Sequence, residues 1–175
     1  DAVECLLREG HRRIAPIRGP ESSRPGNERW MGYLAALAKW NIPQDMRYVA
    51  QGDFHRERAY AAMHGLMEQD DPPTAIFAAN NMTSLGCLRY FHEHGMRLGV
   101  DVSLIGFDEI EMLHYSGTAL SVVDRDIYRM GQDAMHLLIR RIQERAENAD
   151  DVCGRQGIFL PTNLVLRGSE KWTGV

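Results

Sequence analysis

Thr74-Ala75-Ile76-Phe77-Ala78-Ala79-Asn80-Asn81 is a short apolar run that ends abruptly in two amides. A run of this length without polar alternation suits a strand covered on both faces, as in a parallel sheet. Asn81 offers an N-cap for the helix that follows, with Leu85, Leu88 and Phe91 along it and Gly95 as its stop. Val102 to Phe107 then gives a second buried strand, closed by Asp108-Glu109.

The same alternation extends towards the amino end. Residues 1–9 carry an amphipathic helical pattern, and Gly10 suits its left-handed cap. Arg12 to Ile17 read as a strand, followed by the polar loop Gly19-Pro20-Glu21-Ser22-Ser23. Trp30, Tyr33, Leu34 and Leu37 fall at i, i+3, i+4, i+7 and predict a helix that stops near Asn41-Ile42-Pro43. Tyr48 to Gln51 reads as a strand running into Gly52-Asp53-Phe54, and Tyr60, Met63 and Met67 mark the next helix. Short strands separated by helices with little spare loop predict an α/β fold, a doubly wound parallel sheet with helices on both faces.

Beyond Phe107 the rhythm changes. Ala119 to Val123 suits a strand, and Asp124 or Asp126 can cap a long helix carrying Ile127, Met130, Ala134, Leu137 and Leu138. A polar stretch, 144–151, precedes a last strand from Ile158 through Pro161 to Leu166.

Composition narrows the function classes. The chain has 175 residues, 44% hydrophobic and 25% charged, as ordinary globular domains have. A net charge of −4, with only the short basic pairs Arg12-Arg13 and Arg140-Arg141, argues against a duplex-binding surface on this stretch. No run approaches the ~18 apolar residues of a membrane span. The first residues show no signal-peptide pattern and begin inside a helical pattern without a methionine, so the stretch reads as part of a longer polypeptide. Cys5, Cys87 and Cys153 are odd in number and far apart. That favours free thiols in a reducing, cytoplasmic setting over a disulfide framework or a zinc cluster.

Ligands of open parallel sheets bind at the carboxyl ends of the strands. Here those ends lead to Arg29, Phe54, Asn80 and Asp108: a guanidinium, an aromatic ring, an amide and a carboxylate. The set suits a small polyhydroxylated ligand, because Arg donates through a fixed fork, Asn both donates and accepts, and Asp accepts from hydroxyls. Phe54 can stack on an apolar sugar or base face. Each also has a purely structural reading: Arg29 as a surface charge, Phe54 as core, Asn80 as a helix cap, Asp108 as a turn residue. The sequence has no nucleophile elbow, phosphate loop or zinc-protease signature, which points away from an enzyme and from a metal or other cofactor. His92 and His94, two apart on a helix, face different ways. His55 lies beside the rim, where a solvated loop position is the simpler reading.

Four segments carry a family resemblance that runs along essentially the whole chain. They are Gly10-His11-Arg12-Arg13-Ile14-Ala15 with Gly19-Pro20, 74–81 with Leu85-Gly86, Asp101 to Glu109, and Leu160-Pro161-Thr162 with Arg167-Gly168-Ser169. Together they resemble LacI/GalR-type transcriptional regulators. The resemblance implies a two-lobed, periplasmic-binding-protein-like core that holds a sugar-like effector between its lobes and forms a homodimer. Operator DNA would be bound by a helix-turn-helix head outside this stretch. Residues 1–122 would then be the C-terminal lobe, 123–156 the return segment of the N-terminal lobe, and 157–175 the final strand and tail. The head and most of the first lobe would be absent. Arg29, Phe54, Asn80 and Asp108 occupy the positions that the resemblance assigns to effector contacts. Three features depart from the family pattern: Asn81 in place of an aspartate, Pro25-Gly26 in a loop that elsewhere carries effector-specific side chains, and no proline within Ser116 to Leu120. A periplasmic sugar-binding protein of a transporter would share the fold and is the alternative.

Overall fold

The computed structural model describes residues 1–147 and 157–172. Its elements run α1 (Ala2–Arg8), β1 (Ile14–Arg18), α2 (Arg24–Lys39), β2 (Ala50–Gln51), α3 (Arg56–Met67), β3 (Ala75–Ala78) and α4 (Asn81–Glu93). They continue with β4 (Ser103–Phe107), α5 (Glu111–Ser116), β5 (Ser121–Arg125), α6 (Ile127–Glu147) and β6 (Thr162–Val165). The strands form one sheet in the order β2-β1-β3-β4-β5-β6, and every pairing from β2 to β5 is parallel. This is the expected α/β sheet. Its strand order reverses beside β1, where successive crossovers go to opposite sides.

Burial explains the apolar runs. All four residues of β3 are buried, because alternate side chains enter the two separate cores on either face. Ile76 and Ala78 join Ala59, Met63 and Cys87 beneath α3 and α4. Ala75 and Phe77 join Leu6, Leu7, Tyr33 and Leu37 beneath α1 and α2. Each fully covered aliphatic side chain contributes roughly 1.5–3 kcal/mol relative to exposure. The α3–α4 contact is close because Gly86 has no side chain: a Cβ there would lie 2.4 Å from the Arg56 carbonyl oxygen.

The helix ends refine the sequence expectations. Gly10, at φ +100°, follows α1 as anticipated. The cap of α4 is Asn80 and not Asn81. Asn80 has extended backbone, so its Oδ1 folds over the first turn and accepts from Thr83 N at 2.8 Å and Thr83 Oγ1 at 2.6 Å. Pro25-Gly26 lies in the first turn of α2 and not in a loop. Ser23 caps that helix, and a proline there forfeits only a donor that has no helical partner. The strand expected at 48–51 is reduced to two residues by a 3-10 turn at Met46–Tyr48, capped by Asp45. The last strand begins at Thr162, since Pro161 has no N–H for the ladder; Phe159 is exposed. Asp126 caps the long helix, accepting from Arg129 N at 2.8 Å.

A strap, residues 167–172, crosses the amino ends of β4 and β5. Ser169 Oγ donates to Leu104 O and accepts from Ser121 N, and Ser103 Oγ donates to Lys171 O at 2.6 Å. Behind it lies His11, fully buried, with Nδ1 2.8 Å from Thr74 Oγ1, Nε2 3.0 Å from Ser103 Oγ, and its ring stacked on Trp172. Burial holds the His11 imidazole down at about 4. Buried Glu170 accepts from the Ser121 hydroxyl and from Gly168 N. Its burial pushes the carboxyl up, but these donors outweigh that and leave it below its ordinary value.

The described chain forms two compact units, residues 1–124 with 164–175, and residues 125–163. Within the second, α6 carries Met135, Leu138, Ile139 and Ile142 as an exposed apolar stripe.

Candidate functional site

The rim is built by the carboxyl ends of β1 to β4. Arg29, on the second turn of α2, reaches across it. Its Nη1 donates to Ala79 O at 2.6 Å, beside Asn80. Its guanidinium lies 3.5 Å from the ring centre of Phe107, beside Asp108, and 5.6 Å from that of Phe54. One side chain thus spans the tips of β3 and β4 and the loop after β2. Asn80 closes the circuit, donating through Nδ2 to Phe54 O at 3.4 Å. The four residues expected from the sequence therefore gather at one rim. The cap reading of Asn80 also holds, for its Oδ1 is occupied by Thr83.

The rim backbone is strained. Asp53, Phe54 and Asp108 have φ of +51°, +62° and +70°, a region that costs an L-residue about 1–2 kcal/mol. Phe54 is held there by a flat seat. Its ring rests on Gly19, where a Cβ would stand 2.2 Å from Cε1. Asp108 is fixed by its N–H, which donates to Val123 O at 2.9 Å. Such conformations gather where a site needs side chains aimed off the regular strand direction.

Charged neighbours set the polarity. The Asp53 carboxylate accepts from Gln51 Nε2 at 2.5 Å and pairs with Arg58; these contacts, the Gln51 bond foremost, hold it below its ordinary value. Together with Pro20, Glu21, Ser22 and His55 these residues line an open basin beside the four. Partial burial pushes Glu109 up, but Arg167, at 2.5 Å, and the Ile110 amide bring it net below its usual range. Glu109 thus ties the rim to the strap. His55 is the exposed residue preceding α3. His94 stacks on Tyr90 at 3.9 Å. Among the described residues no group of three or more His, Cys, Asp or Glu could hold a metal ion. Cys5 and Cys87 are buried free thiols, Cys87 pushed up by burial to about 12, and Cys153 lies outside the described residues.

The family model for the periplasmic binding protein-like domain matches residues 3–170. The chain belongs to this family, and the relatives and solved structures that it resembles are LacI-type regulators. The HTH-type transcriptional repressor CytR of Escherichia coli (strain K12) is 33% identical over 171 residues, 98% of this chain and 48% of the repressor. The chain therefore spans about half the length of the curated relatives it matches. The transcriptional regulator CelR in complex with cellobiose superposes with a TM-score of 0.81 at 30% identity, over 95% of this chain and 49% of that one. The lac repressor dimer bound to operator and an anti-inducer gives 0.79 at 29% identity, over 97% and 48%. These three relatives are transcriptional regulators.

Within this periplasmic-binding-protein-like domain, sequence reasoning missed Phe107, Arg18 and Trp30. Phe107 ends a strand and reads as core, yet its ring carries Arg29. Arg18 is the last residue of β1, one position beyond the apolar run, and its guanidinium stacks 4.2 Å from the centre of the Trp30 ring. A charged residue continuing a strand towards the rim was the available signal.

Proposed function

We propose that this chain is the effector-sensing core of a LacI-type, DNA-binding transcriptional regulator. A sugar-like small molecule binds at the rim formed by Arg29, Phe54, Asn80 and Asp108 and controls operator binding elsewhere in the polypeptide. The observation that carries this reading is Arg29 spanning three rim segments in a domain that aligns throughout with repressors. An arginine so placed reports a ligand to several strands at once. The rim's fixed donors and acceptors suit hydroxyl recognition, and cellobiose binding by the structural relative CelR agrees with it. The role is binding without turnover, in the cytoplasm where operator DNA is found.

The remaining architecture follows the family. Residues 1–122 correspond to the C-terminal lobe, 123–156 to the return segment of the N-terminal lobe, and 157–175 to the final strand and tail. The exposed apolar stripe of α6 supports that assignment, since such a face is normally covered. A homodimer agrees with the lac repressor relative. Effector acts by binding one arrangement of the lobes more tightly than the other, and a coupling on the order of 1–3 kcal/mol suffices for control.

The test uses the full native polypeptide, its operator in a gel shift, and titration with an effector found by a sugar panel. Arg29→Ala and Asp108→Ala should each abolish the effector response and leave operator binding in place. A wild-type response in both variants rejects the site.

A further inference from the structure

Arg18 and Arg29 both line one small hollow between β1, β3 and the first turns of α2. Its other walls are Pro16, Ile17, Gly26, Trp30, Phe77 and Ala79, so two guanidiniums share an otherwise uncharged lining. Arg18 is the better poised of the two. Its side chain is 15% exposed and its Nη1 stands 3.6 Å from Glu21, itself 77% exposed and too far for a hydrogen bond. Its Nε is buried and has no hydrogen-bond partner among the described residues. A buried donor without an acceptor is uncommon in folded proteins and marks a place where a partner is missing or a group is held ready.

We propose that the effector carries an oxyanion, a phosphate monoester or a carboxylate, and that Arg18 is the residue that selects it, with Arg29 beside it. This rests on the effector-site reading above. Arginine presents Nε and one Nη as a parallel pair that matches two oxygens of such a group, which lysine and neutral donors do not. The Trp30 ring lies against the Arg18 guanidinium and shields it in part from water, which strengthens its hold on an anion. Ser23, which caps α2, gives the same end of the hollow a helix N-terminus, a further attraction for negative charge. Glu21 is displaced from Arg18 when the anion enters, at little cost for a pair so exposed.

The experiment is titration calorimetry on the full native polypeptide with matched sets of glucose, galactose, ribose and fructose, their terminal phosphates and, where they exist, their uronates. At least one anionic member should bind ten-fold or more tightly than its neutral parent. Phosphate against uronate identifies the oxyanion. R18M, which keeps the stack on Trp30, should bring the anion down to the level of the parent sugar, and R18K should recover part of the difference. Thermal melts without ligand check that both variants are folded. Preference for a neutral sugar, or an anion preference that R18M leaves unchanged, overturns the proposal while the effector site stands. Absence of saturable binding by every anion overturns it as well. Neutral binding lost in Arg29→Ala then keeps the effector site, and no binding by any sugar counts against both.

Discussion

His11 should make the stability of this domain fall between neutral and mildly acidic pH. The imidazole is fully buried under the strap and held at about 4, against an ordinary value of 6.5. Below its ordinary value the unfolded chain takes up a proton on this residue, and the native chain does not until far lower pH. The unfolded state therefore binds more protons across that window, and stability drops as pH drops. With those two values, going from about pH 7.5 to about pH 5 removes about 2 kcal/mol. The assay is urea unfolding at a series of pH values, for the wild type and for H11N. The variant should be less stable near neutrality, because it loses the stack on Trp172 and one or both bonds to Thr74 and Ser103. The remaining histidines are common to both proteins, so the difference between the two curves isolates His11. That difference should shrink by about 2 kcal/mol over the window. Parallel curves would refute the argument and show that His11 takes up its proton in the native state.

Two further substitutions test the packing and the rim. Gly86→Ala should cost about 1–3 kcal/mol, because its Cβ meets the Arg56 carbonyl and, at 2.7 Å, the Ala59 methyl; Gly65→Ala, with open space around it in α3, should instead stabilise by roughly 0.5–1 kcal/mol. Equal urea midpoints for the two variants would contradict the close α3–α4 contact. Asp108→Gly should be more stable than Asp108→Ala by about 1 kcal/mol, since both lose the carboxylate and only glycine accepts φ +70° without strain. Equal thermal midpoints would show that the rim backbone relaxes freely.

The parts of the fold legible in the sequence are those where burial is periodic. Ile76 and Phe77 face opposite cores, so their strand had to be apolar throughout, and Leu37 and Met63 reveal their helices by spacing. What escaped was decided by single contacts. Nothing in the composition of Asn80-Asn81 says which amide folds back on Thr83. Glu111–Ser116 is too short for periodicity and leaves Met112 and Tyr115 exposed, so α5 had no apolar face to announce it. The strand-end rule found Arg29, Phe54, Asn80 and Asp108 because it concerns backbone position. It could not find Phe107 or Trp30, whose roles as seats for guanidiniums depend on which way a ring faces.

The strain and the stability of this domain lie at opposite ends of its sheet, and this separation bears on how a rim could respond to a ligand. At the amino ends, the strap, His11, Ser103, Ser121 and Glu170 form a buried network in which nearly every polar group has a partner. At the carboxyl ends, Asp53, Phe54 and Asp108 hold unfavourable backbone angles, and Arg18 keeps an unsatisfied donor. A rim with its strain unrelieved has free energy to release when a ligand supplies the missing contacts. A well-anchored far end keeps that release from loosening the strands themselves. Any motion that follows binding is then directed into the loops and helix ends that carry the rim residues. Arg29 touches three of those segments at once, so moving its guanidinium by the width of one hydrogen bond changes its contacts with all of them together.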